Sequence, residues 1–249
     1  MLHALPSLSA GFDSNGGRWH YLYRTATIVA LIMVVLFLFQ IVAFFVWPPS
    51  TTVEGHFAVL QSRPLVGLVS LDFVIIVDEV LVIPLTLALY LSLRRTHESL
   101  VLIATALAAV SLICFIVANP SLNMLYLSQN YAAATTVAER QGLLAAGQAV
   151  LSSWQGTCFH VGYDVGTIGM VLISRVMLRS SSYSRTTAYV GIIAGLVGFG
   201  VYVPKVGVYI SILSVVGMQV WYVLIAVTLW RVCDLTAPSP LASGKKAAL

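Results

Sequence analysis

The sequence predicts an all-α polytopic membrane protein, a six-helix transmembrane bundle with both termini cytoplasmic. Three observations predict it. Of 249 residues, 59% are hydrophobic and 9% charged, against about 25% charged in a soluble domain, and mean hydropathy is +0.94. Six apolar stretches each approach the ~20 residues that a helix needs to cross a bilayer core. The basic residues are also divided unevenly between alternate loops, as in membrane proteins of fixed orientation. The same composition excludes an ordinary globular chain and a disordered one. The net charge of +4, from 13 basic and 9 acidic residues, includes no basic block long enough to follow a phosphate backbone. Nucleic acid is therefore not an expected partner, and the lipid bilayer is.

The spans are expected at roughly 23–47, 65–93, 99–118, 152–174, 187–203 and 206–230. A polar N-terminal segment, 1–22, precedes this membrane domain of 23–231, and a tail, 232–249, follows it. The first apolar run is too long for a signal-peptide core, so it is expected to stay as an uncleaved anchor. Pro204 and Lys205 alone divide the last two spans, and Pro204 cannot continue a helix without losing a backbone hydrogen bond. With the N-terminus inside, Arg18, Arg24, Arg94, Arg95, Arg175, Arg179, Arg185, Arg231, Lys245 and Lys246 face the cytoplasm. Arg63, Arg140 and Lys205 are left outside, so the bias favours an even span count in this orientation. Trp47, Trp154, Trp221 and Trp230 fall near span ends, where amphipathic rings anchor.

The connection 119–151 is too long to be structureless. Asn119-Pro120 breaks the third span, and Leu122, Leu125 and Tyr126 recur at helical spacing. Thr136 and Glu139 make a capping box, which predicts a helix from about 137 toward the fourth span. Gly142 and Gly147 are expected to let it bend, because a continuous helix to residue 174 would be about 57 Å long. This outer segment reads as a packing cap, with a lid over a cavity as the alternative. In the fifth span, Gly191 and Gly195 allow close helix approach, expected within the bundle rather than between copies.

Five ionisable residues fall within expected spans: Asp72, Asp78 and Glu79 in the second, His160 and Asp164 in the fourth. A charge at the bilayer centre costs at least ~2.5–3.5 kcal/mol, so such groups face the bundle interior. In one continuous helix Asp72 and Glu79 share a face two turns apart, with Glu79 near mid-span, while Asp78 is rotated away. His160 and Asp164 stack at i and i+4. Pro84 leaves the Val80 carbonyl without its helical donor. No Lys or Arg is expected at the same depth, so four carboxylates and one imidazole need protons or a cation between them. Trp154 and Gln155 would sit at the outer mouth of the pocket.

Enzymatic chemistry finds little to work with. A zinc site needs three or four suitable ligands, and His160 is the one histidine at depth. Cys158 and His160 point apart on one helix, against a thiol–imidazole pair. Cys114, Cys158 and Cys233 show no pairing or metal-binding spacing and read as small apolar fillers. No catalytic residue, metal ligand set or cofactor is assigned.

The string Trp154-Gln155-Gly156-Thr157-Cys158-Phe159-His160-Val161-Gly162, with Asn119-Pro120, Tyr131-Ala132-Ala133-Ala134-Thr135-Thr136 and Leu89-Tyr90 before Arg94-Arg95, resembles a bacterial integral-membrane family. That family is described as domain of unknown function 4386, and the resemblance covers about 23–231. It implies a multi-pass bacterial inner-membrane protein and brings no activity or functional residue with it. From the residues themselves, the leading expectation is proton- or cation-coupled transport, or small-ligand binding, through Asp72, Asp78, Glu79, His160 and Asp164. The alternatives are a non-catalytic scaffold or accessory subunit, whose protein partner the sequence does not specify, and a metal-dependent lipid-modifying enzyme.

Overall fold

The computed structural model describes residues 16–236. The expectations for residues 1–15 and 237–249, including the placement of Lys245 and Lys246, lie outside the described residues. Among the described residues every regular element is a helix: α1 (Gly16–Val46), α2 (Val53–Ser62), α3 (Pro64–Ser70), α4 (Phe73–Ala118), α5 (Ser121–Ala133), α6 (Val137–Ser153), α7 (Thr157–Met177), α8 (Arg185–Gly198), a 3₁₀ turn (Phe199–Tyr202) and α9 (Gly207–Thr236).

Five of the described helical stretches are long and apolar enough to cross a membrane: Trp19–Val46, Phe73–Ala133, Val137–Met177, Arg185–Tyr202 and Tyr209–Cys233. The second and third expected spans are thus represented by one stretch. Within it, α4 departs from helical geometry at His97, whose backbone is extended (φ −161°, ψ 84°). Pro84 stays inside α4. Large apolar side chains, Val35, Leu38, Val42 and Phe45 among them, lie open along α1, with Phe45 86% exposed. A surface of this kind suits lipid and not water.

Two expectations about local structure are corrected. The second long helix begins at Phe73 and not near residue 65, because Asp72 adopts a left-handed backbone (φ 62°) that ends α3 and starts α4. Aspartate is among the few non-glycine residues that tolerate this region. Likewise α6 does not bend at Gly142 or Gly147: it is continuous to Ser153, and the chain breaks at Trp154–Gly156 instead.

The helices divide between two compact units. In the unit formed by Met33–Leu81 and Ala108–Gly166, the buried core is Val53, Phe57, Leu60, Leu71 and Met124, contributed chiefly by α2 and α5. Thr52 caps α2, accepting a hydrogen bond from the Gly55 amide. The apolar residues 53, 57 and 60 then fall on one helical face. Phe57 packs on Tyr131 (ring centroids 5.4 Å apart), and Gln61 donates to the Ser128 carbonyl at 2.8 Å. Gly147 on α6 has its vacant Cβ position against Val53 and Phe57. The long connection is therefore a packed layer. It also carries the capping box, with Thr136 Oγ1 accepting from the Glu139 amide and Glu139 accepting from the Thr136 amide.

In the unit formed, among the described residues, by 16–32, 82–107 and 167–236, α8 packs on α9. Ser214 donates to the Ala194 carbonyl at 2.7 Å, and Ser92 and Tyr183 share a buried hydrogen bond of 2.9 Å. Gly191 lies against Ser174 and Trp221, and Gly195 against Val171. Both glycines are used inside the chain. The helices α8 and α9 are separate, and Lys205, in the connection between them, has φ 69°.

Candidate functional site

All the residues singled out for chemistry lie in the first of these units. Its end is stitched at Ala118 and Asn119. Asn119, 5% exposed, donates from Nδ2 to the Asp72 carbonyl at 2.9 Å, while its Oδ1 accepts from the Ser121 amide at 3.0 Å and from the Ser121 hydroxyl. Ser153 donates to the Ala118 carbonyl at 3.2 Å. The starts of α4 and α7 are thereby held to one level of the molecule, and both helices run away from it. Asp78 and Glu79 lie about 8–9 Å along α4 from Phe73, and Asp164 about 10 Å along α7 from Thr157.

Asp72 is at the helix cap and not on the α4 ladder, so the two-turn shared face with Glu79 does not exist. Glu79 also lies in the first third of the helix before His97, not at its middle. Asp78 nevertheless follows Asp72 by six residues and directly precedes Glu79, which keeps the three acids at one end of α4. All three are half-buried. One oxygen of Asp78, Oδ1, is fully buried and has no hydrogen-bond partner among the described residues.

On α7, Cys158, Gly162 and Gly166 face Ser111, Cys114 and Phe115 of α4. The vacant Cβ position of Gly162 is 2.8 Å from Cys114 Cβ, and Cys158 donates to the Cys114 carbonyl at 3.4 Å. His160 and Asp164 sit two residues further on at each turn, about 200° around the helix, so they occupy the opposite face. Both are half-buried and engaged by neighbours. Phe159 is ringed by Phe115, Trp154, His160 and Tyr163. Trp154 is half-buried and Gln155 exposed, in the turn before α7. The site residues thus lie on two helices, the acids at the start of α4 and the pair on α7. Among the described residues no three His, Cys, Asp or Glu side chains stand close enough together to hold a metal ion.

The family model described as Domain of unknown function (DUF4386) matches residues 61–233, more than half of the chain. The chain belongs to this family. No curated protein and no solved structure matches it. The DUF4386 segment contains both groups of site residues and begins within α2, after the whole of α1.

One feature of the DUF4386 chain is absent from the sequence reading. A cavity of about 590 Å³ opens where α1 turns through α2 into α3, with Trp47, Ser50, His56, Ser62, Arg63 and Ser70 in its wall. None of the expected site residues lines it. The signal available was the cap at Thr52 followed by Val53, Phe57 and Leu60, which turns residues 53–62 into an amphipathic helix and gathers Arg63 and His56 at one place.

Proposed function

We propose that the protein is a six-crossing inner-membrane protein with cytoplasmic termini that moves a proton or a small cation through the acids of its second crossing. The break at His97, two residues after the Arg94-Arg95 pair, supports reading α4 as two crossings. Each part, 73–96 and 98–118, is then about 30–36 Å long, enough for a bilayer core. The loop charges support the orientation.

The observation that carries the functional reading is Asp78 Oδ1, buried with no hydrogen-bond partner among the described residues, on a helix whose next residue is Glu79. A carboxylate in such surroundings takes up a proton or a cation when it can, and releases it when its surroundings change. Asp164, at a comparable distance from the Ala118–Asn119 end, and His160, about one turn nearer to it, are the next proton-carrying groups. Asp72 and Trp154, close to that end, stand toward the outside.

The reading is tested in vesicles of purified protein with a trapped pH-sensitive dye, under an imposed pH or potassium gradient. Wild-type protein is expected to dissipate the gradient, with Asp78→Asn and Glu79→Gln each lowering the rate at least tenfold at unchanged melting temperature. Gradients that decay as in empty vesicles, or variants indistinguishable from wild type, leave the acids as helix-packing groups and favour the scaffold reading.

A further inference from the structure

The cavity between the end of α1 and the start of α3 has two walls of different chemistry. Val46, Trp47, Val59 and Val66 form an apolar side, continuous with the exposed apolar surface of α1 at Phe44 and Phe45. Ser50, His56, Ser62, Arg63 and Ser70 form a polar side. Among the described residues lining the wall, Arg63 is the one formally charged group and none is a carboxylate. Its guanidinium makes no ion pair or hydrogen bond with the described residues, whereas His56 is 6% exposed and lies deep in the wall.

The hydrogen-bonding capacity of the polar side is also divided. The Ser50 hydroxyl oxygen accepts from the Thr52 amide at 3.3 Å, which leaves its own proton free to donate. Ser62 and Ser70 direct their protons to the carbonyls of Ala58 and Gly67, at 2.8 and 2.9 Å, which leaves their lone pairs to accept. A guest that fits both halves has an anionic oxygen cluster for Arg63 and Ser50, hydroxyl donors for Ser62 and Ser70, and an apolar tail for the valine and tryptophan wall. A volume near 590 Å³ is in the ordinary range for a small-molecule site.

We propose that this cavity binds a phosphate group bearing a glycerol, with the headgroup of an anionic phospholipid as its source and Arg63 as its charge partner. Trp47, directly after the first apolar helix, places the cavity at headgroup level, where indole rings settle. The proposal makes no use of the acids of α4.

The test is a melting and titration experiment on the full chain in a neutral detergent, using dihexanoyl-phosphatidylglycerol as probe. Dihexanoylglycerol, which lacks phosphate, and inorganic phosphate are run beside it. The short-chain phosphatidylglycerol is expected to raise the melting temperature saturably, and dihexanoylglycerol to leave it unchanged. Arg63→Gln is expected to raise the Kd about tenfold, and Arg63→Lys to stay within about threefold of wild type. Because Arg63 is exposed and makes no ion pair with the described residues, the unliganded melting temperature of both variants is expected to match wild type. Equal effects of the two dihexanoyl compounds, or equal binding by Arg63→Gln, overturn the proposal. Inorganic phosphate binding as tightly as the lipid, with the same dependence on Arg63, overturns the lipid source and assigns the site to soluble phosphate.

Discussion

Asn119 holds three chain segments with one side chain. Replacing it by alanine leaves the Asp72 carbonyl and the Ser121 amide and hydroxyl without their partner. An unsatisfied buried group costs about 1–3 kcal/mol, so Asn119→Ala is expected to lose about 2 kcal/mol or more in a reversible denaturant titration. Gly191 offers a contrast with Gly142 at the same scale. A Cβ at Gly191 meets Ser174 Oγ and lies 2.5 Å from Trp221 Nε1, whereas one at Gly142 meets nothing within 4 Å. Gly191→Ala is therefore expected to destabilise by about 1–3 kcal/mol, and Gly142→Ala, in the interior of α6, to stabilise by about 0.5–1 kcal/mol. His56 supplies a pH dependence. Burial holds its imidazole below the ordinary value of 6.5, opposed by a hydrogen bond to the Ser50 backbone. The folded protein thus binds fewer protons than the unfolded one just below that value, so this group's contribution is complete above about pH 6.5 and declines as the pH falls through the window beneath it. The melting temperature is expected to drop between pH 7 and pH 5, and His56→Gln to show a smaller drop than wild type.

At the scale of elements, what the sequence makes legible is what neighbours in the chain decide. The capping box at Thr136 and Glu139 needs only four residues, and the helix it predicts from about 137 is present. The helix break at Asn119-Pro120 is legible for the same reason. Asp72 is different: its carboxyl reads as an in-helix acid until the left-handed backbone shows that the helix restarts there, a conformation held by Asn119 from 47 residues away. The α2 helix is short, so its three apolar residues give a weak periodic signal, and its stability comes from packing on α5 and not from local propensity. Cys114 and Cys158 lie far apart in sequence, and no spacing rule links them. Packing at Gly162 brings Cys158 to the Cys114 carbonyl. Both thiols are free. Mild oxidation with diamide is expected to join Cys114 and Cys158 within one chain, seen as a loss of two hydrogens in the mass of the cross-linked peptides. Recovery of both as separate thiols after exhaustive oxidation would contradict the α4–α7 packing described here. Of the candidate site, the sequence shows which residues carry charge. It does not show their grouping, which depends on the restart at Asp72 and on the opposite faces of α7.

For the whole molecule, composition alone decides the environment: so few charges on so many apolar residues leave long helices whose open faces suit lipid. What composition leaves open is whether the carboxyls of Asp78 and Glu79 are shielded from water by that environment, on which the proposed proton or cation handling rests. Carbodiimides of opposite polarity decide this in native membranes. Dicyclohexylcarbodiimide, which partitions into lipid, is expected to modify Asp78 or Glu79 in the peptide spanning α4, while a charged, water-soluble carbodiimide with an added amine leaves both unmodified and labels Glu54 and Glu139. Ready modification of Asp78 and Glu79 by the water-soluble reagent alone would place them in aqueous surroundings and contradict the proposed role.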